Sequence, residues 1–76
     1  MTNKRIIMHF LNLKEATKQR RKVLRLTQAD LAEMAGVAKR TVFQIENGTG
    51  NPTIEVLEKI MDVLGLKIAY LVKGTE

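Results

Sequence analysis

Seventy-six residues with no cysteine and a single His9 exclude disulfides, thiolate metal sites and, for want of carboxylates placed near that histidine, a metal centre; a domain this small gains stability by associating, so an oligomer is expected. The formal charge of +5 is uneven: residues 1–50 hold ten Lys and Arg against four Asp and Glu, a net of +6, while residues 51–76 hold three against four, a net of −1, so the first part attracts polyanions and the second does not. No apolar stretch reaches the roughly 20 residues that span a bilayer, and the start lacks the order of a signal peptide, so a cytoplasmic protein without membrane contact is expected.

Residues 1–12 read as an extension. Within it RIIMHFL, residues 5–11, is apolar on both alternating sets and fits either a strand buried on two faces or the approach to a helix. Asn12 followed three residues later by Glu15 matches a capping box and starts a first helix over 13–25. Its apolar positions Leu13, Ala16, Val23 and Leu24 form a thin stripe, and its other faces carry Lys14, Lys18, Arg20, Arg21, Lys22 and Arg25. Thr27 with Asp30 repeats the capping signature and starts a second helix over 28–35, with Leu31, Met34 and Ala35 on one face.

Gly36 ends that helix, because a glycine just past a helix adopts the left-handed conformation that costs residues with a Cβ about 1 kcal/mol. A third helix is expected over 39–47, with Val42 and Ile45 inward. The run NGTGNP, residues 47–52, is a loop by composition. Thr53 caps a fourth helix, which carries Leu57, Ile60, Met61 and Leu64 at helical spacing and stops at Gly65. Over residues 66–73 the period changes: Leu66, Ile68, Tyr70 and Val72 alternate with Lys67, Ala69, Leu71 and Lys73, which predicts a strand.

Two short helices meeting at a glycine turn, the second opening on Lys39 and Arg40, form the pattern of a helix-turn-helix. The segments LTQADLA, AGV, TVFQIENG and IEVLEKIMDVLG resemble the Cro/C1-type helix-turn-helix family, also called the XRE family, over residues 13–65. The resemblance implies an all-α, lambda-repressor-like domain of four to five helices. To this the sequence adds a short C-terminal β-strand in 66–76, paired across a dimer through Leu66, Ile68, Tyr70 and Val72; the alternatives are pairing with residues 5–11 of its own chain or a frayed tail.

The resemblance also implies roles for single residues. Gln28 matches the family glutamine that binds a phosphate and buttresses the third helix. Lys39, Arg40 and Gln44 fall where that helix faces base edges, Thr41 falls beside a backbone phosphate, and Asn47 belongs to the loop whose amides meet the phosphate strand. Arg21 and Glu46 match a structural pair joining the first helix to the end of the third. Two positions depart from the family: Ala38 stands where Ser or Thr usually caps the third helix, at a cost of about 1 kcal/mol, and Arg25 replaces a common glycine.

The residue chemistry agrees with this independently. Lys and Arg donate to guanine O6 and N7, Gln bonds adenine bidentately, and helical spacing puts Arg40 and Gln44 on one face. Leu31, Ala32, Val37, Val42 and Ile45 read as core. Phe43 is either a partly exposed edge of that core or a contact with a DNA sugar or a partner.

The expected function is a sequence-specific transcriptional regulator, a homodimeric repressor on a palindromic double-stranded DNA operator. The strand after the fourth helix is similar to that of HipB-like antitoxins, which makes an autoregulatory antitoxin with a HipA-like toxin kinase as partner a subtype. The alternative is a coactivator-like, protein-binding adaptor on the same fold. Neither an enzyme nor a cofactor is expected, because the chain has no nucleophile with a base, no phosphate-cradling glycine loop and no metal set.

Overall fold

The computed structural model describes residues 13–68, which form four helices: α1 (Leu13–Val23), α2 (Gln28–Ala35), α3 (Lys39–Asn47) and α4 (Ile54–Leu64). The expected Asn12 cap and the segment 5–11 lie outside the described residues, as do Tyr70 and Val72.

Local chemistry decides where the helices begin. Thr27 Oγ1 accepts from the Asp30 amide at 2.9 Å while the Asp30 carboxylate accepts from the Thr27 amide at 3.0 Å, a complete capping box that satisfies otherwise orphaned donors. Thr53 does half as much for α4, accepting from the Val56 amide at 3.1 Å. Ala38 occupies the same position before α3 and offers no side-chain bond.

The helix ends share one design. After each helix a residue in the left-handed region lets the next amide reach back to a carbonyl five residues earlier: Leu26 to Arg21 (3.0 Å), Val37 to Ala32 (2.9 Å), Thr49 to Gln44 (2.8 Å) and Leu66 to Met61 (2.8 Å). Three of those left-handed residues are glycine. The fourth is Arg25 at φ 60°, so the end of α1 carries a strain of about 1 kcal/mol that the other three ends avoid. The first helix therefore closes at Val23, two residues earlier than periodicity predicts.

The core is Leu31, Ala32, Val42, Ile45, Leu57, Ile60, Met61 and Leu64, with Leu13, Ala35 and Val37 packed against it. All four apolar positions expected of α4 are in it. On α2 the inward set is Leu31, Ala32 and Ala35, and Met34 is 61% exposed, which corrects the expected face.

The face of α1 is corrected more deeply. Val23 and Leu24 point outward, and the fully buried residue of this helix is Thr17, whose hydroxyl donates to the Leu13 carbonyl at 2.8 Å. Half-buried Arg20 and Arg21 follow it at helical spacing. Polar residues can line an inner face when each finds a partner there. Arg20 donates through Nε to the Leu64 carbonyl at 3.1 Å, a cation at the end of α4 where the helix dipole favours it, and Arg21 bonds Glu46.

The expected strand at 66–73 is corrected over its described part. Residues 66–68 are irregular chain, and there is no strand among the described residues. The reversal at Gly65 turns Leu66 back onto its own domain, where it and Ile68 pack against the core, so these two side chains fill an intramolecular role. Also among the described residues, no helix is long and apolar enough to cross a membrane.

The bare cap before α3 yields a test. Ala38 already has the extended backbone of a cap, φ −72° and ψ 146°, so Ala38→Ser needs no rearrangement to accept an α3 amide. The substitution is expected to add about 1 kcal/mol, raising Tm by about 4–8 °C in a calorimetric or circular-dichroism melt.

Candidate nucleic-acid interface

Glu46 lies near the carboxyl end of α3, only 3% exposed, where an unpaired carboxylate would be costly. Arg21 meets it with both arms of the guanidinium, Nε to Oε2 at 2.6 Å and Nη2 to Oε1 at 3.0 Å. Its third nitrogen, Nη1, donates to the Leu26 carbonyl at 2.8 Å and so holds the turn after α1. From α2, Gln28 Nε2 donates to Glu46 Oε1 at 3.1 Å. One carboxylate thus gathers α1, α2 and α3.

Burial works to raise the pKa of Glu46, but the hydrogen bonds from Arg21 and Gln28 and the charges of Arg21 and Lys18 outweigh it and hold it below the ordinary value. The same bond raises Arg21, against its own partial burial.

With its inner side anchored, α3 presents its outer side to solvent. Gln28, Lys39, Arg40 and Gln44, four of the residues singled out in the sequence, line one open surface concavity of about 700 Å³ together with Phe43 and Thr49. Thr41 is half-buried and Asn47 is exposed, and neither lines it. The Asn47 side-chain amide instead donates to the Phe43 carbonyl, one turn back, at 3.0 Å.

Two glycines of the loop expected to meet the phosphate strand lie against side chains that the sequence reading did not foresee. Gly50, at φ 76°, lies so close to Gln44 that a Cβ there would fall 2.7 Å from Oε1 and 2.9 Å from Cδ, so a side chain at position 50 would make the glutamine shift. Gly48 plays the corresponding part for Lys14: a Cβ would fall 3.3 Å from its Cδ and 3.9 Å from its Nζ, which places the ammonium group of α1 beside the loop. The glycines themselves were the available signal, since a glycine can mark a close approach as well as a turn. Nothing in the local sequence says what approaches.

The cations on α1 divide by use. Arg20 and Arg21 are committed to carbonyls and to Glu46, while Lys14 lies exposed beside the loop.

Comparison with known proteins places this geometry. A helix-turn-helix family model matches residues 18–71. The cryptic phage CTXphi transcriptional repressor RstR of Vibrio cholerae is 36% identical over 61 residues, 80% of this chain and 54% of that protein. An uncharacterized HTH-type transcriptional regulator of Methanocaldococcus jannaschii is 38% identical over 56 residues, 74% of this chain and 85% of that one. The chain thus spans about half the length of the repressor and most of the archaeal regulator. Among solved structures, it is similar to that of SinR, the master regulator for biofilm formation, in complex with DNA: 40% identity, TM-score 0.66, covering 74% of this chain and 90% of that one.

The buried pair generates two expectations. Replacing either Arg21 or Glu46 by Ala strands the other charge and should cost about 3–5 kcal/mol, with a coupling well above 1 kcal/mol in a double-mutant cycle by denaturant unfolding. In pH, a carboxylate whose folded pKa lies below its unfolded value stabilises fully above the unfolded value, near 4.5, and loses that contribution as the pH falls through the folded one. Asp30, lowered by bonds from the Thr27 backbone and side chain, adds to the same acid limb. Melting across pH 7 to 3 should show that limb, shallower in Glu46→Gln.

Proposed function

We propose, since the chain belongs to the XRE-type helix-turn-helix family, that it is a transcriptional repressor that reads DNA in the major groove with α3. The observation that carries this reading is the shared concavity: Lys39, Arg40 and Gln44 on α3 and Gln28 on α2 converge on one exposed surface, while Glu46 and its partners hold the same helix from behind. Arg and Lys suit guanine, Gln suits adenine, and Gln28 lies where an amide can meet the flanking phosphate. RstR is named a transcriptional repressor and SinR was solved with DNA, which supports the same reading.

The proposal extends to a homodimer on a palindromic operator. A single α3 touches too few base pairs for selectivity, and two related by a dyad, one helical turn apart, supply it. Leu66 and Ile68 pack on their own core, so of the four residues expected to join the copies Tyr70 and Val72 remain as the proposed contacts. An antitoxin role, with a HipA-like toxin kinase as partner, is a finer reading that came with the expected strand. A gene for such a kinase beside this one is its test, and without it the plain repressor reading stands. No observation favours the adaptor.

Three measurements follow. Binding to duplex DNA in gel shifts should weaken steeply and linearly on a log–log plot against salt, as counterion release requires; affinity flat and weak for every duplex would end the DNA reading. Arg40→Ala and Gln44→Ala should each relax discrimination at particular base pairs by about 1–3 kcal/mol, whereas Gln28→Ala should weaken all sequences alike. Truncation after Ile68, which keeps every described core residue, should leave a folded domain that sediments as a monomer and binds its operator more weakly; a truncated dimer of full affinity would move the interface to the helices.

A further inference from the structure

We infer that Phe43 reads the 5-methyl group of a thymine, an apolar contact set among the polar base contacts of the proposed α3 reader; the inference rests on that reading and deepens it.

Exposed apolar side chains are ordinary on a protein surface, and Val23, Leu24, Met34 and Ile54 are others here. Phe43 differs in its company. It is 53% exposed on the helix that carries Lys39 and Arg40, four and three residues earlier, and it lines the same concavity as those cations, Gln44 and Gln28. Whatever surface the two cations approach, the phenyl ring approaches with them.

The charge identifies that surface as a polyanion, and the ring identifies which part of it. In the major groove most of what a side chain meets is a hydrogen-bonding edge, which a phenyl ring would cover without replacing its water partners, at a cost. The exception is the thymine methyl, the apolar element of the groove's pattern. A ring on the same surface as an arginine suited to guanine and a glutamine suited to adenine therefore fits a site with thymine at a neighbouring pair. Neither the cations nor the glutamine would distinguish that thymine from uracil.

That difference provides the test. A duplex is enriched from a randomised pool by the wild-type chain, and each of its thymines is then replaced singly by uracil, which removes the methyl group and leaves every hydrogen-bonding atom in place. The wild type should lose about fourfold in affinity at one or more of these positions, the worth of one buried methyl. Phe43→Ala should bind the thymine duplex more weakly and show no further loss at the same positions, and Phe43→Leu should retain part of the effect. Melting curves of both variants confirm that the exposed position leaves the fold intact.

Equal losses in wild type and Phe43→Ala, no loss in either, or an enriched duplex without thymine would overturn the inference while leaving DNA reading in place. So would a Phe43→Ala chain that shows no methyl dependence but associates less with itself in sedimentation, which would assign the ring to contact between copies. A wild-type chain that binds no duplex would overturn the proposed function, and this inference with it.

Discussion

A buried carboxylate with three nitrogen donors is the constraint on which the rest of this structure depends. Glu46 stands at the end of a nine-residue helix that, alone in water, is too short to be stable. Packing of Val42 and Ile45 holds the helix to the core, but an apolar contact is non-directional and leaves rotation about the axis loosely set. The two-armed bond from Arg21 and the bond from Gln28 are directional. They fix which side of α3 faces inward, and with it the side on which Lys39, Arg40, Phe43 and Gln44 emerge.

The same network explains how polar residues come to lie inside a small domain. Arg21 spends its third nitrogen on the Leu26 carbonyl, so one side chain holds a helix, a turn and the partner helix together. Arg20, one residue before it, closes the end of α4. The positive charge of α1 is thus partly structural. Lys14, lying across Gly48, stands instead beside the loop that follows α3, where the proposed duplex would pass.

Much of the fold was legible because its punctuation is local. Thr27 with Asp30, Thr53, Gly36 and Gly65 act within a few residues of themselves, and the four apolar residues of α4 repeat at a spacing that leaves one face for burial. The inner face of α1 was not legible from hydropathy, because Thr17 is buried with its hydroxyl on the Leu13 carbonyl and half-buried Arg20 and Arg21 bond partners up to 44 residues away. Only the family pattern suggested the Arg21–Glu46 pair. Leu66 and Ile68 misled for a related reason: alternation shows that two residues share a side, and the reversal at Gly65 decides that this side is the domain's own core. At the site, residue type and helical spacing singled out Lys39, Arg40 and Gln44, whereas the close approach of Gly50 to Gln44 depends on a loop conformation that no periodicity encodes.

The proposed function requires that this anchored face meet the edges of bases. Methylation interference on a duplex enriched by the wild-type chain addresses that most directly, since a methyl group on guanine N7 blocks the major-groove edge that Lys39 or Arg40 would bond, and one on adenine N3 blocks the minor groove. The account predicts interference at discrete guanine N7 positions, with at least one of them lost in Arg40→Ala. Interference confined to adenine N3, or an unchanged pattern in that variant, would contradict it.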